Sequence, residues 1–215
     1  MAHDEFAELR IDYGDVALGR SDLPADPLRL FRSWMEEAKG AGVREPNGMA
    51  LATCGADGQP HCRVVLLKQL DQQGFGFFTN KDSAKGAQLR ENSKAALTFW
   101  WEAPRARQVR VEGVIVEVPA EQSDAYFQGR PRRAQLCSAA SPQSQVVEDR
   151  AALEGLVDAL QSTAGEGRVV RPSHWGGYAL RPSMIEFWQG RDGRLHDRFR
   201  YRSSGGDWAI DRLAP

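Results

Sequence analysis

Residues 94–118 read KAALTFWWEAPRARQVRVEGVIVEV, and the fold turns on whether the apolar runs at either end are helices or strands. Both are rich in β-branched and aromatic side chains, and the EAPR between them is a turn signal, so the stretch predicts two strands. The same pattern recurs outward in both directions. MALATC, CRVVLLKQL and FGFFT precede it, separated by ADGQ around Asp57-Gly58 and by DQQG ending at Gly74; HWGGYAL, MIEFWQG, LHDRFRY and DWAIDRL follow it. Helices are inserted between these runs. ADPLRLFRSWMEEAKGAG has Asp26 as a cap, Pro27 in the first turn, a stripe of Leu28, Phe31, Met35 and Ala38, and a stop at Gly40 or Gly42. KDSAKGAQLREN is capped by Asp82 or Ser83 and spaces Ala84, Ala87 and Leu89 helically. A short helix follows PAEQSDAYFQGRP, and a longer one runs over SQVVEDRAALEGLVDALQST with Val147, Leu153, Leu156, Val157 and Leu160. Hairpins with inserted helices predict a mainly β, antiparallel barrel or sandwich rather than alternating βαβ units.

With 215 residues, 41% of them hydrophobic and 27% charged, the chain can bury a core of ordinary size. The net charge of −1 makes any basic patch local, which argues against a nucleic-acid binder. No apolar run approaches the roughly 20 residues of a membrane helix. Residues 1–24 are poor in apolar side chains and read as a flexible arm; residues 25–215 read as a single domain. The polar, acidic start is no secretory or transit signal. Cys54, Cys62 and Cys137 are odd in number and lack CxxC spacing, which predicts buried free thiols, no metal site and a cytoplasmic location. There is no P-loop, GxSxG, GxGxxG or HExxH motif.

What stands out is cationic. If GRLHDRFRY (193–201) is extended, Arg194, His196, Arg198 and Arg200 share one face, with Leu195, Phe199 and Tyr201 on a core face beside Asp197. Like charges so placed repel, so the ladder is either solvated or built for an anion. RVVLLK (63–68) puts Arg63, Val65 and Leu67 on one face and Val64, Leu66 and Lys68 on the other. Lys85 falls in a first helical turn, where free N–H groups and the dipole favour an anion. Tyr126, Arg130, Arg132 and Arg133 gather around Pro131. Each of these also reads as a solvated face, and His174 and Trp188 read as structural; together they suit one or two phosphorylated small molecules held in clefts.

In this order, DLPADPL, RVVLLK, FFTN, RQVRVEG, YFQGRP, QSQ, WGGY, EFWQG, RLHDRFRY and DWAIDRLAP resemble the pyridoxamine 5′-phosphate oxidase family, from about Arg10 to Pro215. The resemblance implies a split β-barrel that dimerises and binds flavin mononucleotide (FMN) at the subunit interface. It implies oxidation of pyridoxine or pyridoxamine 5′-phosphate by O2 to pyridoxal 5′-phosphate, with H2O2 released. A cofactor that carries the hard chemistry would explain why no acid–base dyad is legible.

Residue by residue, the resemblance assigns the strand from Arg63 through Val64, Val65, Leu66 and Leu67 to Lys68 to the flavin, with Arg63 toward its phosphate or ribityl chain. Phe78, Thr79 and Lys85 would also meet FMN, and Gln108, Gln143, Ser144, Trp188 and Arg198 would complete that site, some from the partner subunit. Lys68, Tyr126 and Arg130 would hold the substrate phosphate. Arg194, Leu195 and His196 would meet the substrate, Arg194 and His196 as catalytic groups over its ring, and Arg10 and Tyr13 would close as a lid. Three positions depart from the family pattern: Ala84 where an Arg is common, Ala134 where a Ser is common, and Ala139 at a Trp position. The alternatives are a split-barrel oxidase of the phenazine-biosynthesis type and a non-catalytic flavin-binding module.

Overall fold

In the computed structural model the described residues are Phe6, Leu9 and 11–215; Arg10, assigned to the lid, lies outside them. They form helices α1 (Pro27–Gly40), α2 (Ala84–Glu91), α3 (Ala120–Gln128), α4 (Arg132–Ala140) and α5 (Arg150–Ala164). The strands are β1 (Gly48–Cys54), β2 (Pro60–Leu66), β3 (Gln69–Asp71), β4 (Gly74–Asn80), β5 (Lys94–Trp101), β6 (Arg107–Glu117), β7 (Trp175–Gln189), β8 (Asp197–Ser204) and β9 (Asp207–Leu213). Pairing follows the order β2-β1-β5-β6-β7-β4-β3, with β8 on β7 and β9 on β8. The ladders β3/β4, β4/β7, β7/β8 and β8/β9 are antiparallel. This is the mainly antiparallel β architecture with added helices that the sequence implies. Among the described residues no helix is long and apolar enough to cross a membrane.

The chain divides into two compact units, residues 1–49, 97–112 and 183–215, and residues 50–96 and 113–182. In the first, Asp26 accepts the Leu28 amide at 2.9 Å and Pro27 opens α1, as the sequence predicts. The buried stripe is rotated from the expected one. Phe31 and Ala38 are buried, but Leu30 and Trp34 take the places expected of Leu28 and Met35. Both stripes satisfy the helical period; the indole carries the largest apolar area and centres the buried face on itself. Trp34 packs edge-on to Phe187 at 5.1 Å, and Phe31 meets Phe99 at 4.9 Å. The Arg107 guanidinium lies 4.2 Å over the Trp34 ring and pairs with Glu37 at 2.9 Å, so a buried cation is satisfied from both faces. Tyr201 donates to the Pro24 carbonyl at 2.9 Å, and burial pushes its phenol up to about 12.

The second unit packs Phe127, Leu136, Val169 and Trp175 together, with Phe78, Tyr126, Val157 and Leu160 against them. Where the sequence suggests one short helix, there are two, α3 and α4. Buried Gln135 ties them by donating to the carbonyls of Phe127, Gln128 and Arg130 at 3.1, 3.1 and 3.0 Å. α5 begins at Arg150, capped by Asp149 on the Ala152 amide at 2.7 Å, so Val147 falls in the preceding loop rather than on the helix. β7 runs unbroken through what reads as two strands in sequence. The cysteines are free, but Cys62 is exposed and Cys54 and Cys137 are only half-buried, because β2, which carries Cys62, is largely exposed.

Candidate active site

The second unit contains a cavity of about 580 Å³. Val64, Val65, Leu66 and Lys68 of the β2 strand and its extension form part of its wall, while Leu67 lies outside the lining. Phe78, Thr79 and Asn80 enter it from the end of β4, and Tyr126, Arg130, Ser138 and Gln143 from α3, α4 and the loops beside them.

At one part of the wall sits Lys85 in the first turn of α2. Ser83 caps this helix and accepts the Gly86 amide. The Lys85 ammonium donates to Thr79 Oγ1 at 3.0 Å, Ser83 Oγ at 2.9 Å and Gln143 Oε1 at 2.6 Å. Arg63 donates to Leu51 O at 3.1 Å, Thr53 Oγ1 at 2.6 Å and Gln88 Oε1 at 3.1 Å. Every one of these acceptors is a neutral oxygen. Burial first, and then the nearby Arg63 charge, lowers the Lys85 ammonium to about 8. Lys85, in a first helical turn, and Arg63, on β2, thus donate only to uncharged oxygens, an arrangement whose chemistry suits an anion.

Elsewhere on the same wall three aromatic rings stack. Phe78 and Tyr126 lie 4.0 Å apart at 11°, Phe78 and Trp175 5.6 Å apart at 10°. Gly177 allows the pile: a Cβ there would stand 2.7 Å from the Phe78 ring and 2.9 Å from Val118, which is too close for any side chain. The Arg130 guanidinium lies 5.0 Å over the Trp175 ring and donates to Ser138 Oγ at 2.8 Å. Burial raises the Tyr126 phenol, opposed by Arg130, so the hydroxyl stays protonated as a donor. Lys68 is exposed beside them.

The first unit carries a second cluster. Tyr13, Arg191, Gly193, Arg194 and His196 line a cavity of about 350 Å³ with Ile11 and Asp12. Tyr13 stands edge-on to Trp188 at 5.8 Å and to His196 at 5.8 Å, and Trp188 lies 4.7 Å from His196. Gly190 makes room for the arm, since a Cβ there would meet the Tyr13 ring at 2.6 Å. The arm is fastened by Gly14 N to Asp192 Oδ1 at 2.7 Å, by Gln189 Nε2 to Val16 O at 2.7 Å, and by an Arg191–Asp15 ion pair. The Arg191 amide donates to His196 Nδ1 at 3.0 Å, which leaves the ring proton on Nε2. Burial, then the Arg194 charge, lowers the imidazole below its ordinary value, so His196 is neutral at pH 7.

The cationic ladder is corrected. Strand β8 starts at Asp197; before it, Asp192–Arg194 is a 3-10 turn with Gly193 and Arg194 at φ 63° and 64°. Arg194 and His196 therefore do not continue the Arg198–Arg200 face. Arg198 pairs with buried Glu186 at 2.8 Å and Arg200 with Asp211 at 3.0 Å, which removes the repulsion. Leu195 is 75% exposed, not core, because it lies outside the strand. Of the remaining assigned residues, Gln108 is half-buried on β6 and Ser144 lies exposed in the loop before α5, outside the larger cavity's lining. Sequence reasoning left Trp175 and Ser138 unassigned. The Trp-Gly-Gly run was the available signal for the first, since two adjacent glycines mark a close approach.

The chain matches the family model described as pyridoxamine 5′-phosphate oxidase over residues 35–164, and the one described as pyridoxine 5′-phosphate oxidase C-terminal dimerisation region over 175–215. It is 51% identical to the pyridoxine/pyridoxamine 5′-phosphate oxidase of Salinibacter ruber over 214 residues, 98% of this chain and 99% of that protein. It is 51% identical to that of Pseudomonas paraeruginosa over 211 residues, 97% of this chain and 98% of the other. Among solved structures, PhzG from Burkholderia lata in complex with tetrahydrophenazine-1-carboxylic acid superposes with a TM-score of 0.87 at 33% identity, covering 94% of this chain and all of that one. A pyridoxamine 5′-phosphate oxidase-related, FMN-binding protein from Nostoc punctiforme shares the fold, with a TM-score of 0.71 at 16% identity, covering 90% of this chain and all of that one. Matches that run nearly end to end at half identity leave one assignment: the chain belongs to the pyridoxamine 5′-phosphate oxidase family.

Proposed function

We propose that this protein is an FMN-dependent oxidase that converts pyridoxine 5′-phosphate and pyridoxamine 5′-phosphate to pyridoxal 5′-phosphate, with O2 as acceptor and H2O2 released. The observation that carries the reading is one cavity lined by two sets of phosphate-type donors, Lys85 on one part of its wall and Lys68, Tyr126 and Arg130 on another; Arg63 lies outside the lining, next in the chain to Val64 of the wall. The protein works as a cytoplasmic homodimer.

The residues present fit FMN. Lys85 and Arg63 touch only neutral oxygens in the hydrogen bonds they form, and a phosphate dianion supplies the charge that would return Lys85 toward its ordinary protonation. Ala84 withholds a third cation, and Gln143 and Thr79 already converge on Lys85. Held there, FMN would supply the two-electron redox chemistry between the substrate and O2.

The chain's own contribution is placement and charge. Arg130, over the Trp175 ring and bonded to Ser138, offers its fork to the substrate phosphate, with Lys68 as a point charge and the Tyr126 hydroxyl as a third donor. In the assembled dimer His196 offers Nε2–H to the substrate ring while Arg194 supplies positive charge beside it. Tyr13 stands edge-on to His196 and flanks one side of the ring.

The test is pyridoxal 5′-phosphate formation by purified protein with added FMN and either B6 phosphate in air; aldehyde with matched peroxide is expected. A yellow protein that forms no aldehyde would shift the reading to an oxidase of another substrate, which the likeness to PhzG makes the second reading. Lys85→Ala is expected to weaken FMN binding about 10- to 100-fold by apoprotein titration, since a charge-assisted contact is lost. FMN affinity of the wild type should hold up to about pH 8 and fall above it. The sign follows from Lys85 losing its proton through that value in the free site, so binding above it must take up a proton. Unchanged affinity in the variant would remove Lys85 from the flavin site.

A further inference from the structure

Ser138 is spent by neither the fold nor the assigned site. It sits one helical turn after Ala134 on α4, lines the large cavity, and its Oγ accepts from Arg130 Nη1 at 2.8 Å. A serine hydroxyl has two lone pairs and one proton. With a lone pair taken by Arg130, the proton remains to be placed. Helical serines and threonines commonly spend it on the carbonyl four residues back, as Thr163 does on Ala159 O at 3.0 Å. Among the described residues Ser138 makes no such back-bond, and its hydroxyl proton is available to the cavity.

We infer that Ser138 is a substrate-phosphate ligand: it accepts a hydrogen bond from Arg130 and donates its own O–H to a phosphate oxygen. The inference rests on the proposed reading of the site as one for phosphorylated substrates, and it deepens it. Two consequences follow from the geometry. First, Arg130 is held on three sides, by the Trp175 ring, by Ser138 and by its stem, so its fork meets the anion without a search through rotamers. Second, the donors around the anion number four kinds: the Lys68 ammonium, the Tyr126 phenol, the Arg130 guanidinium and the Ser138 hydroxyl. Four donors on one cavity wall suit the three terminal oxygens of a phosphate monoester better than the two of a carboxylate. Ser138 thereby selects the phosphate ester over an acid of similar size. It also supplies a hydroxyl from position 138 on a helix that has only a methyl at 134.

The experiment compares wild type, Ser138→Ala and Ser138→Thr as FMN-loaded protein. Measured are kcat and KM for pyridoxamine 5′-phosphate and for unphosphorylated pyridoxamine, and inhibition by inorganic phosphate. The alanine variant is expected to lose about tenfold in kcat/KM for the phosphorylated substrate, most of it in KM, and about tenfold in phosphate affinity. The preference for phosphorylated over unphosphorylated substrate should fall by the same factor, a ratio that a merely structural role would leave alone. Ser138→Thr, which keeps the hydroxyl, should restore most of it. An alanine variant that binds inorganic phosphate as wild type does would overturn the assignment. If wild type oxidised neither B6 compound, the oxidase reading would fail by itself; a tenfold loss of phosphate binding in Ser138→Ala would still uphold Ser138 as an anion ligand.

Discussion

Arg194→Ala and His196→Ala should each retain bound flavin and lose about 100-fold in kcat/KM for pyridoxamine 5′-phosphate. The magnitude is that of misplacing a reacting group by about an ångström or removing one preorganised donor. The two side chains leave a tight turn rather than a strand, Arg194 at positive φ and His196 with its ring oriented through Nδ1 by the Arg191 amide. His196→Ala also deprives Tyr13 and Trp188 of a ring neighbour. Anaerobic mixing with substrate separates the effects, because the rate of flavin bleaching reports the chemical step before oxygen enters. Slow bleaching with intact flavin is the expected signature. Turnover like wild type in both variants would withdraw these residues from the reaction.

Trp175→Ala should be the most destabilising single change in the second unit, by about 3–5 kcal/mol, read as a fall in the denaturant midpoint. The indole is 4% exposed, packs edge-on to Phe127 at 5.1 Å and ends the ring stack that begins at Tyr126. Its loss opens a cavity and leaves Arg130 without the plane it lies on. KM for the phosphorylated substrate should rise as well. Trp175→Phe should recover most of the stability and less of the KM, since a smaller ring covers less of the guanidinium. A Trp175→Ala protein as stable as wild type would show that the stack is not a core element.

Legibility followed local chemistry. α1 and α2 were readable because their caps, Asp26 and Ser83, and the Pro27 start are side-chain signals within a few residues. The strands were readable from β-branched and aromatic runs. Two helices flanking Pro131 were harder: α4 buries only Gln135 and Leu136, so it has almost no apolar stripe, and its stability comes from Gln135 bonding back to α3. The join inside β7 was misread because Arg181-Pro182 interrupts the apolar pattern without breaking the strand. The turn before β8 carried its own signal in Asp192-Gly193, which the alternating charges of 194–200 masked. Which acid faces which Arg on β8 needs the strand register: Trp188 opposes Arg198 and Glu186 opposes Arg200, so buried Glu186 reaches Arg198 diagonally. The positions proposed to meet ligands came from family resemblance rather than patterning, except for the cations, whose crowding was visible as an anomaly.

One carboxylate, Asp197, accepts from the Leu18 amide at 2.9 Å, from Arg212 at 2.6 Å and from Arg191 at 3.2 Å. It follows His196 directly in the chain. The segment before α1, through Leu18, and strand β9, through Arg212, are thus buckled at one point beside the imidazole. Loss of the Arg212 bond, by trimming β9, would free one oxygen of the carboxylate next to His196 and loosen the same point that holds Leu18.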